Sequence, residues 1–479
     1  IFDDQDVAAI GTLAVAGSDP NTVWVGTGEP WVIRPADVVG DGVYKSSDAG
    51  ASWQHMGLME TGRIARIVIN PKDPNNVLVC AEGRLTAPQQ QRGVFRTTDG
   101  GATWQHTLFV NPNTGCSGLS MDQSNPNNLV AGTWQVEQRT WVEASGGEGS
   151  GVYVSHDNGQ TWTHVTNGLP TPPLGKIDVA IAPSNPQRVY ALIQTKAQGS
   201  LWRSEDGGAS FKVVSWDRSL IGRAGYYIRL AVNPQNPDDV LITSSSFHRS
   251  TNGGLDFSGN GGNIRQVGAA SCGDCHDIWM DPQNPARYML TDDGGASIAT
   301  GAGTSLHVSL PNGQTYHVES DNRVPYWIYS NRQDDGTMRI ISTVSQPSGN
   351  GLLPAGEFMP QASGFGRFRF GRRGGNEQVN QELLAAYPKA QTAPAGFAFG
   401  PNDMKNAPGG GGNGFGGPSL PQINYQANIG GCESGFTVPD PTDADIVWAT
   451  CYGNKLTRFD NREGTAHSVE PSEITLDSP

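Results

Sequence analysis

The chain predicts an all-β propeller of seven or eight four-stranded blades, with one long irregular insertion. Three observations lead there. A turn-centred motif recurs at intervals of about 40 to 60 residues, within or a little above the spacing of propeller blades. A second motif recurs upstream of it. The apolar residues come in short runs rather than at helical spacing.

The first motif reads "KSSDAGASWQH", "RTTDGGATWQH", "VSHDNGQTWTH" and "RSEDGGASFKV", with a degenerate fifth copy, "RSTNGGLDFSG". Asp48, Asp99, Asp157 and Asp206 are placed to accept backbone N–H groups of their own hairpins. Glycines such as Gly50 and Gly101 permit positive φ, and Trp53, Trp104, Trp162 and Phe211 can pack back between strands. An active site is needed once and these aspartates occur once per repeat, so their expected role is turn structure. The upstream motif is an Asn-Pro or Asp-Pro corner, as in "KDPNNVLVC", "SNPNNLVAG" and "QNPDDVLIT". Proline ends a strand there because it fixes φ and lacks a donor. Each unit therefore reads as inner strand, corner, second strand, third strand, Asp-Gly hairpin and fourth strand, and radial closure leaves only short edges.

The bulk numbers agree. Of 479 residues, 63 are glycine and 32 proline, a turn-rich composition. No apolar run approaches the roughly 20 residues needed to span a bilayer, and a net charge of −14 argues against a nucleic-acid or anionic-membrane partner. Six cysteines permit three bridges and fit a secreted or periplasmic protein. The chain opens on Ile1, so the expectation is a processed form or a fragment.

The repeats resemble Asp-box, or BNR, repeats, which occur in sialidases, the sortilin family, xyloglucan-degrading endoglucanases and a photosystem assembly propeller. From "GDGVYKSSDAGASWQHMGL" to "GGCESGFTVPDPTDADIVWATCYG" the chain is similar to large bacterial proteins named as BNR-repeat glycosyl hydrolases or sortilin N-terminal domain proteins. Such proteins have a further blade before "DVAAIGTLAV" and continue beyond "RFDNREGT", which implies a possible second propeller in the full-length protein. The resemblance implies carbohydrate processing: an exported glycoside hydrolase-like protein acting on or binding a polysaccharide of the β-glucan or xyloglucan type. The competing implication is a non-catalytic, sortilin-like propeller that holds a peptide or protein ligand.

The stretch "SCGDCHDIWMDPQNP" raises a separate question. Cys272, Cys275 and His276 spell C-x-x-C-H, the attachment signature of a c-type haem. With Cys432 they would also make a four-ligand zinc set. The related pattern is Gly-Asp-His-His-Asp, and here it is Gly273-Asp274-Cys275-His276-Asp277, so one histidine has become cysteine. The expectation is no cofactor, with a disulfide or free thiols at the channel. The proposed pairs are Cys80–Cys116, Cys272–Cys275 and Cys432–Cys451.

Glycoside hydrolysis needs two carboxyl groups. The catalytic candidates are Asp292 and Asp293 in "LTDDGGASIATG", Asp334 in "SNRQDDGTMRI" and Glu433 in "GGCESGF". The binding candidates are Arg223, Tyr226 and Tyr227, then His276 and Asp277, and then Arg323, Tyr326 and Trp327, read as a second arginine-aromatic group before an inner strand. The domain reading is blades over 1–345, a Gly/Arg-rich insertion with one short helix over 346–425, and a final blade over 426–479.

Overall fold

A computed structural model of the chain describes residues 1–31, 38–139, 141–257, 272, 274–293, 295–301, 305–309, 314–323, 326–333, 336–342, 425–452 and 455–469. Among these residues the strands form eight antiparallel sheets, six of them four-stranded. No helix among them is long and apolar enough to cross a membrane. Contacts divide the chain into two units, Ile1–Leu310 with six sheets and Pro311–Pro479 with two. The expected 346–425 insertion lies outside the described residues except for Tyr425, which opens the strand Tyr425–Ala427, the fourth of the seventh sheet.

Within each sheet the strands pair in chain order, as the repeat predicts. The third sheet adds a fifth strand, Val142–Ser145, paired to the long strand Leu129–Arg139. The fifth sheet shows three strands, and residues 258–271 lie outside the described set. The first strands of sheets one to six are Ile10–Ala16, Ile64–Asn70, Thr114–Met121, Ile177–Ile181, Arg229–Val232 and Cys275–Met280.

Five of these first strands surround a common axis. Arg229 of the fifth sheet donates to the backbone oxygens of Ser117 (3.1 Å) and Ala65 (3.4 Å), on the third and second sheets. Arg66 of the second sheet reaches Asp277 of the sixth at 2.9 Å and Asp178 of the fourth at 3.8 Å. Sheets stacked about an axis bury both faces. Val189–Ile193 is accordingly buried at every position, and apolar clusters such as Trp24, Ile64, Val77 and Phe95 join one sheet to the next.

The Asp hairpins are what the spacing predicts. Asp48 Oδ1 accepts the Ser46 hydroxyl (2.7 Å) and the Ser52 amide (2.8 Å), while Oδ2 accepts the Ser52 hydroxyl (2.6 Å). The same set recurs at Asp99, Asp157 and Asp206. In the degenerate copy Asn252 takes the aspartate's place, and its Oδ1 accepts the Asp256 amide at 3.0 Å. The hairpins of Asp99, Asp157 and Asp206 also grip the preceding sheet, while Trp53 of the Asp48 hairpin donates to the Ile1 carbonyl at 2.7 Å. Trp104 Nε1 donates to the Met56 carbonyl (2.8 Å), just beyond the first sheet's last strand, and Phe211 packs with Val130 and Val154 of the third. The second glycine has no room for a side chain. At Gly101, φ is +94° and a Cβ would lie 2.7 Å from Trp24; at Gly159 it would lie 2.3 Å from Leu78.

Two predictions follow from these hairpins. Hydrogen bonds from Ser52 and Ser46 lower Asp48 to about 2, and those from Ser210 and Ser204 lower Asp206 to about 2. A depressed carboxyl adds stability that is complete above its unfolded value and is lost as pH falls through the folded one. Acid unfolding, followed by tryptophan fluorescence, should therefore develop as pH falls from about 4 to about 2, with a shallower pH dependence in Asp206→Asn. Gly101→Ala should lower stability by about 1 to 3 kcal/mol in urea unfolding, because it combines a close contact with a positive φ.

Candidate functional site

The meander separates the two ends of each sheet. Corners between first and second strands share one end with the Asp hairpins. The loops between second and third strands share the other end with the connectors from sheet to sheet. In the first unit this second end carries most of the predicted chemistry. Trp31 follows the second strand of the first sheet, Asp19–Thr27. Residues 223–227 lie in the connector before Arg229–Val232, and Asp274 precedes Cys275–Met280. Asp292 pairs with Gly295, and Asp293 follows Asp292 at the turn between the two strands.

His276 is aimed by a bulge. The register steps from Cys275 opposite Asp292 to Asp277 opposite Thr291, so one extra residue, His276, sits between them. The residue is 9% exposed, and its Nε2 lies 2.6 Å from Asp293 Oδ1. An ionised carboxylate only accepts, so Nε2 carries the proton. Nδ1 is buried with no hydrogen-bond partner among the described residues. Three rings flank the imidazole: Trp31 and Tyr226 each at 4.9 Å between centroids, and Tyr227 at 5.5 Å. Arg223 stacks over both tyrosines at 5.2 Å and donates to the Tyr227 hydroxyl at 3.2 Å. That hydroxyl in turn donates to Asp274. Burial, and then the Asp274 bond and charge, push the Tyr227 phenol well above its ordinary range, so it is a fixed donor and not a titrating acid.

Arg223, Tyr226, Tyr227, His276 and Asp293 thus form one cluster. Asp277 lies beside it but is held by Arg66 Nη1 at 2.9 and 3.1 Å. Burial works against its ionisation, and the charges of Arg66 and Arg229 outweigh burial and lower its pKa. Asp292 is in the strand pairing opposite Cys275 and Gly295. Glu433 is in the second unit, where it accepts from the Tyr452 hydroxyl (2.5 Å) and from Gln333 (3.3 Å). Asp334 lies outside the described residues.

The second arginine-aromatic group differs from expectation. Trp327–Arg332 is the second strand of its sheet, not the inner one, so Arg323, Tyr326 and Trp327 belong to a corner. Asp321 builds that corner by accepting the Trp327 amide (2.9 Å) and the Arg323 side chain (2.6 Å). Arg323 and Arg339 both lie over the Trp327 ring, at 5.6 and 4.8 Å. These contacts are those of a packed corner, while the Tyr326 ring is exposed.

All three expected cysteine pairs are disulfides: Cys80–Cys116 between the second and third sheets, Cys272–Cys275 from the connector to the first residue of the sixth sheet, and Cys432–Cys451 in the second unit. Sulfurs bonded to each other cannot form thioethers to a haem or act as zinc thiolates, and the His276 Nε2 is already taken by Asp293. Two members of the cluster, Trp31 and Asp274, were not among the sequence candidates. Trp31 stands in "GTGEPW", a loop without a motif, and only the end of the sheet to which it belongs signals it.

The BNR/Asp-box repeat family model matches residues 153–164, the hairpin of Asp157. A xyloglucanase of Paenibacillus sp is 27% identical over 272 residues, 51% of this chain and 25% of that protein. Xyloglucanase Xgh74A of Acetivibrio thermocellus is 24% identical over 290 residues, 53% of this chain and 32% of that protein. The match thus spans only a quarter to a third of these relatives' length. Among solved structures, the GH74 xyloglucanase of Xanthomonas campestris covers 95% of this chain and 63% of its own, with 12% identity and a TM-score of 0.39. YCF48 from Cyanidioschyzon merolae covers 70% and 96%, with 12% identity and a TM-score of 0.39. The chain is a BNR/Asp-box repeat protein with distant similarity to GH74 xyloglucanases and to YCF48.

The disulfides give a direct check. A thiol reagent added to the unfolded, unreduced protein should find no free cysteine, and after reduction all six.

Proposed function

We propose that this chain is a secreted or periplasmic, glycoside hydrolase-like propeller that binds a β-glucan or xyloglucan-type polysaccharide at the Trp31–Tyr226–His276 cluster. The observation that carries the reading is the grouping of aromatic rings with polar groups of fixed orientation. Trp31 and Tyr226 offer flat faces for sugar rings, while Arg223, Asp274 and Asp293 offer hydrogen bonds to hydroxyls. The matched curated relatives are named as xyloglucanases, and three disulfides suit an oxidising compartment. If the site is hydrolytic, Asp293 and Asp274 are its two carboxyls. Asp293 is oriented against His276, and Asp274 is bonded to Tyr227.

A second reading has one observation in its favour. Arg223 is exposed, at φ +48°, and stacked on two tyrosines, a setting that also suits the carboxylate of a peptide ligand.

Calorimetric titration with xyloglucan oligosaccharides and with mixed-linkage glucan oligosaccharides tests the binding. Trp31→Ala and Tyr226→Ala should each weaken it roughly tenfold, equivalent to about 1.4 kcal/mol. Reducing-end release tests the chemistry, and Asp293→Asn should abolish it while the oligosaccharide still binds. Saccharide binding that ignores both aromatic substitutions would overturn the location. Binding without release would leave a binding propeller, and peptide binding in place of saccharide would favour the second reading.

A further inference from the structure

Lys176 immediately precedes the inner strand Ile177–Ile181 of the fourth sheet and is 1% exposed. A buried ammonium needs partners, and this one finds two backbone oxygens on other sheets' loops. Its Nζ donates to the Pro30 carbonyl at 3.3 Å and to the Gly225 carbonyl at 3.1 Å. Pro30 is bonded to Trp31, and Gly225 to Tyr226. These are the two residues whose rings stand 4.9 Å from His276. One side chain therefore joins a loop 146 residues upstream to a connector 49 residues downstream, one residue short of each ring. The ammonium also sits 5.0 Å from the Trp134 ring centroid, and Glu82 Oε1 is 4.0 Å away. Neither Glu82 oxygen has a hydrogen-bond partner among the described residues, so Glu82 acts on the ammonium through its charge.

We infer that Lys176 is a positioning residue that sets the separation of the Trp31 and Tyr226 rings around His276, and thereby the fit of a sugar between them. The inference rests on the saccharide reading for its ligand, but the positioning itself does not. A neutral side chain of similar length fills the space and leaves both carbonyls without their shared donor. The charge matters as well as the shape. Burial lowers Lys176 to about 8 and raises Glu82 to about 7. The charged groups that bear on the pair are Arg63, Arg66 and Arg92 from the second sheet, Asp178 from the fourth and Arg229 from the fifth. Lys176 is thus charged below its folded value and becomes a neutral amine as pH rises through about 8, which weakens its hold on both loops.

The first measurement needs no ligand. Rings at 4.9 Å impose ring-current shifts on the His276 ring protons, visible by NMR. In Lys176→Met those signals should move toward their values in an unstructured peptide. The signals of His106, stacked on Phe95 at 4.2 Å in the second sheet, should stay in place and so report an intact fold. In the unsubstituted chain the His276 signals should show an inflection near pH 8, which keeps the inference testable if Lys176→Met does not fold. Calorimetry with a xyloglucan oligosaccharide should then show binding about tenfold weaker in Lys176→Met at pH 7 and insensitive to pH between 7 and 9, where unsubstituted protein loses affinity. Unmoved His276 signals in a folded Lys176→Met, or no inflection near pH 8 in the unsubstituted chain, would overturn the inference. Shifted His276 signals in a chain that binds no saccharide would support the positioning and overturn the ligand.

Discussion

The Asp hairpin solves two problems with one short segment. Its carboxylate closes the turn from within, and in the hairpins of Asp99, Asp157 and Asp206 the glycine and aromatic that follow lock the turn against the sheet before it. The first five sheets bury apolar side chains against one another, so none of them is stable alone; each must be covered by its neighbours. The hairpin is where that covering becomes specific. Gly101 against Trp24, and Trp104 on the Met56 carbonyl, fix how far apart and at what angle two sheets meet. The common axis, and the cluster at its far end, inherit their geometry from that repeated contact.

What could be read in advance depended on distance along the chain. The hairpins were legible because every bond of the motif falls within five residues. The Asn252 copy shows why the motif tolerates exchange: an amide oxygen serves as well as a carboxylate. The strands flanked by Cys80, Cys116, Cys432 and Cys451 suggested those two pairs, although sequence alone does not dictate connectivity. The site was legible only in part. Arg223, Tyr226 and Tyr227 are adjacent in sequence, and "CHD" carries its own signature, so each group drew notice separately. That they converge on Asp293 follows from the bulge at His276 and the position of Asp293 at the end of the strand opposite it.

The remainder was hidden because its contacts are long. Trp31 reaches His276 across about half the chain, and Lys176 reaches Pro30 across 146 residues. Neither carries a local pattern. The Arg323–Trp327 group shows the opposite case, a local resemblance without the same position. Its residues repeat the composition of 223–227, but Asp321 turns them into a corner, where the arginine and tryptophan serve packing.

The two ends of each sheet in the first unit carry different tasks. All four Asp hairpins and their glycines lie at one end, while the loops around His276 lie at the other, joined to them only by strands that keep their register. Residues at the far end can therefore change without disturbing the fastenings. A frame of this kind works as a chuck with exchangeable jaws: the same six-sheet body can be refitted for a different ligand by redrawing the loops near Trp31, Tyr226 and Asp293.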